Sequence, residues 1–226
     1  RLGGYQPRFL MFLCHHKDGG GILARWFEML VHEKVSQHVF LDSDFLEDLE
    51  NIFDLVKEDS ASLVVLLTRT TLQRMWCAGE IVTGFAHSIP VIPVATEAFE
   101  EIDGAFVDRL SEVWTPEQVS RLDDSGVTLD DIRSAYSALA AKEKLRFIRR
   151  APIAEHRAVV SGALNMVRPG KPSRPLQAVK SRNEVEKRSQ PVLLCGAIED
   201  GEAVMAMRIL QKLMNKIIEV EIGLMW

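Results

Sequence analysis

Trp76 and Glu80 lie four residues apart in a stretch whose apolar residues recur at helical spacing, so an indole and a carboxylate share one helix face a turn apart. Taken alone, such a glutamate reads as a solvated helix carboxylate, and the tryptophan serves equally as packing or as the wall of a pocket. A second group of polar side chains, His15, His16 and Lys17, follows the apolar run Phe9 to Cys14 and could reach phosphate or sugar oxygens. Cys14-His15-His16 does not read as a metal site: neighbours on one strand point in opposite directions, and no second ligand pair lies at a suitable spacing. Gly19-Gly20-Gly21 lacks both the spaced glycines of a dinucleotide fingerprint and the lysine-serine end of a P-loop, and reads as a flexible loop. Asp42 ends a short apolar run as a phosphoacceptor would, but the acidic pair and downstream lysine of that chemistry are missing. Phe45, in the acidic stretch Asp42 to Asp48, is either an exposed contact or a buried one.

The elements that must position these residues alternate. Phe9 to Cys14, His38 to Leu41, Leu63 to Leu67 and Pro90 to Val94 are unbroken apolar runs, the pattern of parallel strands covered on both faces. Between them, helical spacing runs through Ile22, Trp26, Phe27, Leu30 and Val31, then Leu49, Ile52, Phe53 and Val56, then Thr71 to His87. Thr115-Pro116-Glu117-Gln118 and Thr128-Leu129-Asp130-Asp131 predict two further helix starts. Leu145 to Ile148 is a candidate edge strand and Ile153 to Val167 a closing helix. The spacing therefore predicts an α/β domain over 1–168 and a solvated linker over 169–190, rich in proline and basic residues. Residues 191–226 read as a β-α-β segment too small to bury its own apolar face, and so either start a second similar unit or dock on the first.

Composition bounds the rest. With 47% hydrophobic and 26% charged residues the chain is ordinary for a globular protein, and no apolar run approaches the roughly 20 residues of a membrane helix. A net charge of −5 argues against general nucleic-acid binding, which needs a surplus of cations. Three scattered cysteines, Cys14, Cys77 and Cys195, in apolar contexts suit free thiols in a reducing, cytoplasmic compartment. Beginning at Arg1 rather than Met, the sequence reads as an excised piece.

The order Val39-Phe40-Leu41-Asp42, then Leu63-Val64-Val65-Leu66-Leu67-Thr68, then Trp76-Cys77-Ala78-Gly79-Glu80-Ile81 resembles the TIR (Toll/interleukin-1 receptor/resistance) domain family across about 160 residues, most strongly over 38–95. The resemblance implies a flavodoxin-like five-stranded parallel sheet flanked by helices, with ligands at the carboxyl ends of the strands. It also implies that Glu80 holds the position of the catalytic glutamate in members that cleave NAD, and that His15, His16, Lys17, Asp42, Phe45 and Trp76 surround the substrate. On this reading NAD is substrate rather than cofactor, no metal is used, and other TIR domains are the partners, as in innate-immune signalling. Nicotinamide in NAD is already a cationic pyridinium and leaves as a neutral base, so one carboxylate can suffice where ordinary glycosidases need two. Hydrolysis would give ADP-ribose, and internal attack a cyclic product. Many relatives only recruit other TIR domains. The departures at His15 to Lys17 and in the acidic Asp42 to Asp48 loop, which lacks the usual glycine, favour that non-catalytic alternative.

Overall fold

The computed structural model describes residues 7–41, 52–167, 192–197, 200–215 and 220–225. Its centre is a sheet of β1 (Met11–Cys14), β2 (Val39–Phe40), β3 (Leu63–Leu67), β4 (Val91–Thr96) and β5 (Leu145–Phe147) in the order β2-β1-β3-β4-β5. Every neighbouring pair is parallel, with Phe12 opposite both Phe40 and Leu63. The expected α/β sheet with flavodoxin-like strand order is therefore present.

The unbroken apolar runs are explained by the two faces of this sheet. Phe12, Cys14, Leu63, Val65 and Leu67 face one core layer, while Met11, Leu13, Val64 and Leu66 face the other. Both sides being covered, no position in β1 or β3 is left for a polar alternation. On the first face lie α3 (Met75–Ala86) and α6 (Leu129–Ala140), together with the short turn Ile52–Asp54 that continues as a π-helical Leu55–Asp59 and is here called α2. On the second lie α1 (Lys17–His32) and α7 (Ile153–Val167). Between β4 and α6 run α4 (Gly104–Asp108) and α5 (Pro116–Asp124). Both predicted helix starts form capping boxes, Thr115 with Gln118 and Thr128 with Asp131.

The helical Lys17–His32 differs from its sequence expectation at its start. Gly19 adopts a φ of +73°, breaking the helix inside its first turn, and regular helix begins at Gly20. The glycine run thus makes a sharp turn out of β1, which a side chain at Gly19 would strain. Arg149 fastens that turn by donating from Nη2 to the Gly19 carbonyl at 2.7 Å.

Residues 192–225 include β6 (Val192–Ala197), α8 (Gly201–Met214) and β7 (Val220–Met225), with β6 and β7 forming a separate parallel pair. The helix α8 packs on α1 and α7: Met205 is wholly buried in their core layer, and Lys212 donates to the Met29 carbonyl at 3.1 Å and to Glu33 at 2.7 Å. The linker proposed for 169–190 lies outside the described residues.

Candidate functional site

The sheet order changes direction between β1 and β3, the place where open α/β sheets leave a crevice at the strand carboxyl ends. Cys14 is the last residue of β1, and α3 crosses behind it. Several bonds fix the entry to α3. Thr71 Oγ1 accepts from the Thr68 amide at 3.0 Å and donates to the Leu66 carbonyl at 2.7 Å, closing the chain back onto the end of β3. Tyr136 Oη donates to the Leu72 carbonyl at 2.8 Å and Trp114 Nε1 to the Gln73 carbonyl at 2.7 Å, so α6 and the segment before α5 hold the same turn. Arg74 Nη1 and Cys77 Sγ both donate to the His15 carbonyl, at 2.9 and 3.3 Å, tying the loop after β1 to the first turn of α3.

One turn further along, Glu80 is buried, 2% exposed. Its carboxylate, Cys14 Sγ and Cys77 Sγ lie within 4.8 Å of one another. Burial is the main reason the Cys14 thiol sits well above its usual pKa, with Cys77 and the Glu80 carboxylate adding to it. Cys14 therefore remains a protonated donor at neutral pH. Tyr136, also buried, is raised for the same first reason and keeps its phenolic proton on the Leu72 carbonyl.

The sequence candidates fall into three groups. Glu80 and the loop carrying His15, His16 and Lys17 are brought together at the end of β1, but not all with side chains toward it. His15 is 3% exposed, and its ring Nδ1 bonds the Leu13 carbonyl at 2.9 Å. His16, half-buried, meets Thr70 Oγ1 at 3.0 Å, while Lys17 is exposed. Trp76 packs against Phe53, with ring centroids 5.9 Å apart, and against the apolar layer beside it. Asp42 and Phe45 lie outside the described residues.

Sequence reasoning missed the two thiols beside Glu80. Cys77 precedes Glu80 by three residues and so shares its face, a signal that was available, but Cys14 is 63 residues from Cys77 and only the β1–α3 packing joins them. It also missed two cavities among the described residues. One, of about 200 Å³, lies past the ends of β3 and β4 and includes Arg69, Glu100, Asp103 and Arg109. The other, of about 350 Å³, lies between α7 and α8 and includes Glu33, Arg157, Arg208 and Lys212. Neither is lined by Glu80. Among the described residues no helix is long and apolar enough to cross a membrane.

No protein-family model matches the chain, and no curated protein matches it. Among solved structures, the chain is similar to the TIR domains in the activated Roq1 resistosome directly recognizing the pathogen effector XopQ, with a TM-score of 0.47 and 17% sequence identity over 70% of this chain and 98% of that one.

Proposed function

We propose that the chain is a TIR-type NAD glycohydrolase in which Glu80 acts on the bond between nicotinamide and ribose, releasing nicotinamide and ADP-ribose or a cyclic ADP-ribose. The observation that carries this reading is a glutamate 2% exposed at the carboxyl end of β1, at the switch point of the sheet. Burying a carboxylate costs free energy that an apolar side chain of similar size would not, so a carboxylate in such a place is a candidate for chemistry rather than for stability. Glu80 would hold the ribose hydroxyls and stabilise the cation that develops as the neutral base departs, or trap it briefly as an ester. NAD is the substrate, and the chemistry requires no resident cofactor.

Because Glu80 is covered, the reading requires an opening step before a dinucleotide can reach it. Association with other TIR domains is the trigger proposed, in a cytoplasmic setting. The second reading, a recruiting module without catalysis, is favoured by the same burial.

Nicotinamide release from concentrated purified protein separates the two. Glu80→Ala and Glu80→Gln, with unchanged circular dichroism, are expected to lose release by at least about a hundredfold, the scale for removing a group that stabilises transition-state charge. Equal rates in wild type and variants end the enzymatic reading.

A further inference from the structure

Cys14, Cys77 and Glu80 bring two thiols and a carboxylate to one buried point from elements distant in sequence, their ligand atoms within 4.8 Å of one another. Cys77 and Glu80 are three residues apart on the inner face of α3, and Cys14 meets them from the end of β1. A tetrahedral zinc centre with Zn–S bonds of about 2.3 Å holds its sulfurs about 3.8 Å apart, so an adjustment of side-chain torsions is enough to converge this set. Two sulfurs and one carboxylate oxygen suit a borderline-soft dication, and are a poor set for magnesium or calcium, which take oxygen ligands.

We propose that Cys14, Cys77 and Glu80 form a Zn²⁺ site, and that zinc bound there withholds Glu80 from substrate. The site stands on its own geometry. The inhibitory consequence rests on the glycohydrolase reading above. As zinc enters, both S–H bonds break, two Zn–S bonds form and two protons pass to solvent. One dication replaces two protons, so the net charge of the buried cluster does not change, and the centre avoids the penalty of adding charge to a low-dielectric interior. Three protein ligands leave a fourth position for water, as in open zinc centres.

Cobalt(II) titration of the whole chain in reducing buffer tests the site. We expect one equivalent per chain with tetrahedral d–d bands and a sulfur-to-cobalt charge-transfer band, displaced by zinc, and two protons released per metal. Cys14→Ser and Cys77→Ser are each expected to weaken binding at least about a hundredfold, Glu80→Gln about tenfold or more, and Cys195→Ser not at all. Cys14→Ala and Cys77→Ala, checked by circular dichroism in the metal-free state, guard against variants that fail to fold. Absence of the charge-transfer band, or a band that survives both cysteine substitutions in folded protein, overturns the site. Zinc is then expected to suppress nicotinamide release with the midpoint of its binding curve, reversed by a chelator. Release unaffected at saturating zinc overturns the inhibitory consequence. Cobalt binding as described by a protein that releases no nicotinamide even when metal-free keeps the centre and removes the glycohydrolase.

Discussion

At the scale of single residues, two buried titratable side chains pull the molecule in different directions. Glu80 is a buried carboxylate set against the Cys14 thiol. Glu80→Gln retains an acceptor for Cys14 and removes a carboxylate from the interior, so its melting temperature is expected to equal or exceed that of wild type even as release is lost. A fall of several degrees would mark Glu80 as structural. His156 is the opposite case. Its Nδ1 accepts from Trp26 Nε1 at 3.0 Å and from Arg208 at 3.2 Å, and Nε2 donates to the Ile148 carbonyl at 2.7 Å, an arrangement that the neutral ring alone satisfies. Burial lowers its pKa below the usual histidine value, Arg208 adds to this, and the Ile148 carbonyl, Glu155 and Glu97 oppose it. The folded state thus binds fewer protons than the unfolded one just below the ordinary histidine range, and stability from this group falls as pH drops through about 6.5 and toward the lowered value. His32, raised mainly by its bond to Glu28, works the other way: its contribution is present below the unfolded value and lost as pH rises through its raised pKa. Thermal melts at pH 7.0 and about 5.5 should therefore show a smaller difference for His156→Gln than for wild type; equal differences would show that His156 does not titrate in this way.

At the scale of elements, the position of α3 decides whether there is a site. Its first turn is tied to β3, α6 and the loop after β1, and its inner face is set against α2 at Gly79, where a β-carbon would collide with the Phe53 ring. Gly79→Ala is expected to cost about 1–3 kcal/mol by overpacking, read as a lowered denaturant midpoint, and to disturb Trp76 fluorescence through the displaced ring. A midpoint unchanged from wild type would mean that α2 yields freely. The helix starts at Thr115 and Thr128 were legible because a cap is local: four consecutive residues hold all the chemistry. The turn at Gly19 was less legible, because its role depends on where Arg149, 130 residues away, delivers its guanidinium.

At the scale of the whole molecule, the helix α8 contributes to the packing around α1 and α7. Met205 fills the layer between α1 and α7, while Lys212 and Arg157 share Glu33 and hold that carboxyl below its usual pKa, against the upward push of its partial burial. Those ion pairs are partly exposed and contribute little. Met205→Ala, by contrast, is expected to cost about 2–5 kcal/mol if α8 is docked, lowering the melting temperature by several degrees. A melting temperature equal to wild type would show that α8 is not seated there in solution.

The sequence by itself determined the strand order of the first unit and its longer helices, though not the short α4, because apolar runs, helical spacing and capping residues are local consequences of backbone hydrogen bonding and one-sided or two-sided burial. It marked Glu80 only through the resemblance of Trp76-Cys77-Ala78-Gly79-Glu80-Ile81 to the TIR family, since the residue alone reads as a solvated helix carboxylate. What surrounds that carboxylate was decided by tertiary structure alone. Whether Glu80 faces water or a thiol, whether His15 opens to a cleft or folds back on Leu13, and that Cys14 comes to meet Cys77 all follow from how α3 crosses the end of β1, a contact between residues some sixty apart that no local pattern encodes.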